Sequence, residues 1–583
     1  MREEAAASQS SPPAAPAGRR PRRGVLGGLR ARLRLPPELL WRRLAFAARA
    51  PYHASALYRW RLAGPAPVQL ACQPGDPWPG TAAVGQAILQ DRFTFAGRTL
   101  ADPTPLWQPR GADPAWLAGL HGFAWLRDLR VLGGDAARRR ARELVGDWID
   151  AHPGPGGPAW EPATTGRRLA AWLGQYEFFA GSADVTFKHR LLDASARQAR
   201  HLERVLPAGL CGAELIAAIK GLVVAGCCLP DGDQWLSRGL ALLERELPRQ
   251  VLADGGHLER SPSVHLRVLR DLIDVRSALA AAEIEAPRSL QLAIEGMTPF
   301  LKLLQHADGG LALFNDSVEE QAVFLEMSLQ RAQSRSRAQT AAPQSGFQRL
   351  HAGRTLLLVD AGAPPPAGYD AHTHAGTLSF EMSHGRQRLI VNCGAHPGHP
   401  DWHRLLRATA AHSTLTLADT NSSELLPAGR GRGAALGRRP ETVVCRREEA
   451  EGAAWLDMSH DGYRTVLDAL IERRLFLAAS GEDLRGEDLV NGPEGLPFAI
   501  RFHLHPEVTA GLVQGGQAVL LRVPGGGGGW RLRAAGAEIG LEESVYLGQP
   551  EQLRRSQQIV LTGTTGPGRT QVKWALKRET SKR

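Results

Sequence analysis

At 583 residues the chain is longer than one hydrophobic core ordinarily serves, and with 43% apolar and 22% charged residues it has a globular composition, which excludes a collagen-like or wholly disordered polypeptide. The net charge of +11 points to a polyanionic partner: nucleic acid, an anionic membrane surface or an acidic polysaccharide. Arginines from Arg19 to Arg49 supply much of that charge, so the remainder lies nearer neutrality, and no nucleic-acid reading motif accompanies them.

Residues 1–24 are mostly Ala, Ser, Pro and Arg and are expected to be disordered, within a basic leader over 1–40. Arg30 and Arg32 interrupt the apolar stretch from Gly24 to Leu33, so no signal-peptide core is recognisable and a cytoplasmic start is the literal reading. No segment is long enough to span a membrane. Residues 26–62 interleave leucines, aromatics and arginines; a helix docking on its own domain is favoured over one lying on an anionic membrane. FTFAGRTL, from Phe93, has strand character around a Gly turn.

From Pro114 to Leu329 apolar residues recur at three and four, which predicts successive amphipathic helices broken at Gly, Pro or Asp. Trp125, Trp148 and Trp172 repeat at intervals of 23 and 24, suggesting related helices with a common aromatic layer. Ser261 is a plausible cap, with Pro262 in the first helical turn. A helical domain is thus assigned to 41–330, and the polar stretch 331–346 is read as a linker. Beyond it the period changes to two, in RTLLLVDAG, QRLIVNCG, FAIRFHLHP and QVKWALK among others, and Gly-rich turns separate the runs. Many short strands without helices between them predict an antiparallel sandwich or barrel over 347–575, followed by a tail at 576–583. The six cysteines have neither zinc-site spacing nor the density of a disulfide scaffold, and read as buried thiols.

Chemistry-bearing residues concentrate between Asp370 and Thr420. A strand beginning at Ala371 would put His372 and His374 on one face, suited to a metal or an anion. DGGHLERSPSVH at 254–265, HTHAGTLSFE at 372–381 and RATAAHST at 407–414, with FNDS at 314–317 and HDGY at 460–463, together resemble the heparinase II/III-like polysaccharide lyases over most of the chain. The resemblance implies an α+β multidomain fold, an incomplete (α/α) toroid followed by an antiparallel β-sandwich, with β-elimination of uronate-containing acidic polysaccharides in the cleft between them. It also implies a cell envelope or periplasmic location.

Such an elimination needs the uronate carboxylate neutralised, a base at C5 and a proton donor to O4. Where the family has an Asn-His pair this chain has Ala213 and Glu214, and Val264 stands in place of the catalytic Tyr. An imidazole must then replace the phenol: His372 is the first candidate base, with His265 and His257 after it, and Arg407 would stabilise the carboxylate or else salt-bridge Glu381. Glu259, Arg260, Glu214 and Asp316 are candidate substrate-binding residues, although Asp316 also reads as a turn-former and Arg260 as part of helix initiation. By resemblance His374, Asn392 and His412 match a divalent-cation site, often zinc, whose alternative is a hydrogen-bonded cluster; Asn is a poor zinc ligand beside two histidines. The competing function is a catalytically degenerate glycan-binding or envelope polysaccharide assembly protein.

Overall fold

The structure is a computed structural model that describes residues 34–396, 399–427, 435–524, 528–549 and 552–579. The disorder expected for 1–24 lies outside the described residues. At the two ends the expected boundaries shift outward: the helix Pro37–Ala48 begins inside the expected leader, and the last strand runs to Glu579, into the expected tail. Three short helices over Pro37–Leu62 dock on the helical half, where the Tyr58 hydroxyl meets His201 Nδ1 at 3.0 Å and Arg200 donates to Leu62 O at 2.9 Å.

Between Pro114 and Ala332 the described chain is helical. Gly212–Cys228 is its central rod, buried along nearly its whole length and packed against Pro162–Gly174, Asp233–Gln250 and Pro262–Ala281. Small residues make this possible. A Cβ on Gly221 would lie 2.3 Å from Gly166 Cα, so the rod meets the Pro162 helix backbone to backbone. The repeated tryptophans do share a layer, organised by Phe123: its ring lies 4.8 Å from Trp125, 6.2 Å from Trp148 and 5.3 Å from Trp172. Ser261 caps the helix Pro262–Ala281 as expected, its hydroxyl accepting from Val264 N at 3.4 Å with Pro262 in the first turn.

After Ala332 the chain is irregular until the short strand Ala341–Ala342, close to the expected linker. The rest forms two large antiparallel sheets. One carries Glu538–Tyr546, Arg554–Thr564, Pro497–Leu504, Gln387–Val391, Phe380–His384, Thr355–Asp360, Phe347–Ala352 and Ala341–Ala342 in that spatial order. The other runs from Val443–Ala450 through Ala453–Tyr463, Ala469–Leu477, Asp483–Asn491, Arg569–Glu579, Gly529–Ala535 and Ala518–Arg522 to Thr509–Val513. Alternating residues from both sheets meet in one apolar core, in which Phe380 of the first stacks on Trp574 of the second at 5.9 Å and 6°.

The two halves are joined by more than the linker. Phe347, Leu356 and Leu358, on strands, belong to the core of the helical half. Arg260, ahead of the Pro262 helix, donates to Ser345 O at 2.6 Å and pairs with Asp360, both charges almost fully buried. Among the described residues no helix is long and apolar enough to cross a membrane, and the six cysteines are free, three of them only partly buried.

Candidate functional site

The expected strand from Ala371 does not form. His372 and His374 stand in a turn-rich loop, and the strand begins only at Phe380, after a left-handed Leu378 with φ 63°. What gathers the imidazoles is Asp316, in a tight turn where Asn315 and Asp316 both have positive φ (51° and 58°). Its carboxylate lies 3.2 Å from His372 Nδ1, 3.2 Å from His374 Nε2 and 3.3 Å from His403 Nδ1. Burial alone would raise its pKa, but the His403 charge and the hydrogen bond from His372 outweigh burial and hold Asp316 well below the usual carboxylate range. Asp316 is therefore the hub of the site as well as the turn-former expected from its motif.

His372 is the open member of the group, with 31% of its side chain exposed. Its Nδ1 proton is held by Asp316 Oδ2, which leaves the Nε2 lone pair free. Glu259 Oε2 is 3.8 Å from that nitrogen, close enough to favour an imidazolium but too far for a hydrogen bond. Desolvation lowers the pKa of His372, yet the Asp316 hydrogen bond and the Glu259 charge together raise it above an ordinary imidazole's. Glu259 is fixed in turn by the backbone N–H of Ala213, at 2.7 Å from Oε1. Gly212 makes room for it: φ is +61°, and a Cβ there would stand 2.0 Å from that oxygen.

His374 and His412 form a closed relay. Ala408 O, 2.8 Å from His412 Nδ1, can only accept, so His412 carries its proton on Nδ1 and offers Nε2. That lone pair accepts from His374 Nδ1 at 3.0 Å, and His374 Nε2 accepts the Asp316 backbone N–H at 2.9 Å. Burial lowers both pKa values, consistent with two neutral rings. The cation site that the resemblance implies does not fit this arrangement. The facing nitrogens bond to each other, while Asn392 donates to Glu381 Oε1 and accepts from Ser413 N, both at 3.1 Å. Among the described residues no group of three or more His, Cys, Asp or Glu is disposed to hold a metal ion.

Several expected site residues are committed elsewhere. Arg407 is buried and gives both Nε and Nη2 to Thr373 O, at 2.9 and 2.6 Å, so it pins the histidine loop and does not pair with Glu381. Arg260 is taken by Asp360, which replaces the expected binding role with a structural one. His265 points into the helical core, bonded to Met297 O at 2.9 Å and packed at a tilt against Phe300 at 4.8 Å. His257 meets Gln250 Oε1 at 3.3 Å. Burial pushes these two imidazoles down to about 4 and about 3, and neither is placed as a base. Val264 is core. Glu214 is ion-paired with Arg167; burial opposes its charge, but Arg167 and Arg267 hold it down at about 2. His403, Arg167 and Arg267 are site residues that the sequence reading does not single out. His403 lies one helical turn before Arg407 on Pro400–Leu406 and its flank, a spacing that puts both on one helix face and is the available signal.

Residues 107–337 match the family described as Heparinase II/III N-terminus, and residues 334–575 the one described as Heparinase II/III-like, C-terminal. FtsZ-localized protein C of Caulobacter vibrioides is 31% identical over 576 residues, covering 94% of this chain and 98% of that protein. The chain belongs to the heparinase II/III family. A heparin-sulfate lyase of Bacteroides thetaiotaomicron is 24% identical over 233 residues, covering 36% of this chain and 33% of the lyase. The family fold extends over nearly the whole chain: the crystal structure of heparinase III superposes with a TM-score of 0.67 at 16% identity, covering 93% of this chain and 92% of that one. The heparan sulfate lyase HepC of Pedobacter heparinus gives 0.57, also at 16% identity, with 94% of this chain and 88% of HepC covered.

Proposed function

We propose that this chain binds an acidic, uronate-containing polysaccharide in a cleft between an incomplete (α/α) toroid, 41–330, and a β-sandwich, 347–575, and eliminates across its glycosidic bond with His372 as the base. The observation that carries this reading is the single open imidazole, His372, with its Nδ1 proton anchored on Asp316 and its Nε2 free. Proton abstraction from C5 would place positive charge on His372 between the two carboxylates of Asp316 and Glu259, which stabilise it, and the same imidazolium would return that proton to O4 as the C4–O4 bond breaks and the C4–C5 double bond forms. Carboxylate neutralisation falls to Arg267, whose charge reaches His372, Glu259 and Glu214. We place the protein at the cell envelope, where such polymers are found.

The second reading is a glycan-binding or envelope-assembly protein without turnover. It is favoured by the core position of Val264, which removes the family phenol, and by a relative matched along nearly its full length that is named for localisation with FtsZ rather than for catalysis. One experiment separates the two. Wild type, His372→Ala and Val264→Tyr proteins are incubated with a panel of uronate polysaccharides while absorbance of the unsaturated product is followed. Release by wild type and none by His372→Ala supports the lyase; equal release by both removes His372 from the mechanism. Tight binding by wild type without release, on every polymer tried, establishes the second reading.

A further inference from the structure

Beside Arg167 and Arg267 the helical half holds a half-open pocket of about 200 Å³, and of its lining residues the proposed elimination uses Arg267 alone. Its lining holds two more cationic than anionic side chains. The carboxylates present are already answered. Asp76 takes Arg127 Nε at 2.6 Å, Asp271 and Asp274 share Lys220 at 2.5 and 3.1 Å, and Asp274 also accepts the Trp78 indole N–H at 2.6 Å. What remains is donor capacity without an acceptor. Nε and Nη2 of Arg267 and Nε of Arg270 are buried and have no hydrogen-bond partner among the described residues, while the Arg270 guanidinium lies over Trp78 at 4.4 Å and over Phe324 at 4.7 Å. Buried guanidinium donors left unpaired are costly, and a planar, pre-oriented guanidinium matches oxyanions in bidentate fashion.

We propose that this cavity is an anion subsite that takes a carboxylate, sulfate or phosphate substituent on a neighbouring sugar of the glycan whose reacting residue meets His372. The proposal rests on the reading of the His372 site as a glycan site, because Arg167 and Arg267 form a shared wall: Arg167 bonds Glu214, and the Arg267 charge acts on His372. Trp78, fully buried, backs the Arg270 guanidinium and holds it in place, while Arg267 and Arg270 bind the acid. Recognition then depends on two charges separated along one polymer, which selects chains acidic at successive residues over neutral ones.

Calorimetric titration of the full chain tests this with oligogalacturonate, a heparan sulfate oligosaccharide, a phosphorylated oligosaccharide and neutral cellohexaose, beside inorganic sulfate and inorganic phosphate. Expected is binding of acidic oligosaccharides but not cellohexaose, weakened tenfold or more by Arg267→Gln and by Arg270→Gln, with a shallower salt dependence in each. The ranking of the three acidic probes identifies the substituent. Because Arg267 also serves the reacting carboxylate, Arg270 separates the two readings: binding by wild type that depends on Arg270 without any product keeps the subsite alone. Should Arg270→Gln fail to fold, Arg270→Lys keeps the charge and loses the planar fork, and reduced affinity is still expected. Unchanged affinity in Arg267→Gln and in the folded Arg270 variant, or equal binding of cellohexaose, overturns the proposal.

Discussion

Asp316 decides what His372 can do. Its carboxylate fixes the Nδ1 proton and, with Glu259, raises the imidazole's pKa above the ordinary value against the opposing effect of burial. A base with a raised pKa is protonated, and inactive, below that pH, so the acid limb of the rate profile should lie above 6.5. Asp316→Asn removes the charge and leaves burial dominant; the limb should move to lower pH while turnover falls by about 10²-fold as the ring loses its anchor. An NMR titration of His372 that is identical in wild type and Asp316→Asn would refute this. The stability linkage has the opposite sense: because the folded pKa is raised, the interaction stabilises the fold fully below the unfolded value and is lost as pH rises through the folded one. His372 is legible from its HxH motif and Glu259 from its place before Ser261. The grip of Arg407 on Thr373 O is not legible, because a motif position says nothing about which carbonyl a buried guanidinium will find. Asp316 is undervalued from sequence because FNDS is a turn signal whose side-chain reach emerges only in three dimensions.

The histidine loop is an element built to be rigid without regular structure. Arg407 grips Thr373 O, Asn315 Oδ1 accepts from His374 N at 3.0 Å, and Thr409 Oγ1 donates to Ala375 O at 2.7 Å, so successive backbone groups are tied to two separate segments, 407–409 and the Asn315 turn. Alternation of polar and apolar residues through HTHAGTLSFE has the pattern of a strand, but Leu378 in the left-handed region breaks the pleat and delays the strand until Phe380. Arg407→Ala should therefore act through the loop. It leaves Thr373 O buried without a donor and is expected to cost about 1–3 kcal/mol in urea unfolding, with turnover lost and no change in the anion-dependent step of binding. At the joint between the halves the expected cost is larger. Arg260→Ala strands the Asp360 charge and should lower stability by about 3–5 kcal/mol, whereas the double substitution with Asp360→Ala should recover part of it. A double variant as unstable as Arg260→Ala would show that the pair is not coupled.

Over the whole molecule the change of apolar period near 331–346 correctly separates the helices from the strands, because burial on a helix and on a sheet impose different spacings on the same kinds of residue. Which residues cross between the halves is not legible, since Arg260 with Asp360 and Asp316 with His372 are pairings of distant segments that leave no local pattern. The same burial makes the fold acid-sensitive. Desolvation lowers His257 to about 3, and His265, His460 and His503 to about 4, from the 6.5 of a solvated imidazole. Between those values and 6.5 the unfolded chain binds more protons than the folded one, so stability falls as pH falls through that window, by about 1 kcal/mol per pH unit for each imidazole. Urea midpoints at about pH 7 and about pH 5 should differ in that sense; equal midpoints would mean that these rings are solvated in solution.

The buried contact between Arg260 and Asp360 also bears on what holds the protein together when the chain is cut. Gln333 to Gln339 lies outside helix and strand, with Arg335, Ser336 and Arg337 exposed, while the interface on either side of it is apolar and carries a desolvated charge pair. A protease site placed at Arg335 should accordingly yield two fragments that co-elute as one particle and part only under denaturant. Expressed as separate polypeptides, they should reconstitute by fragment complementation, in which the peptide bond contributes effective concentration and the interface contributes the affinity.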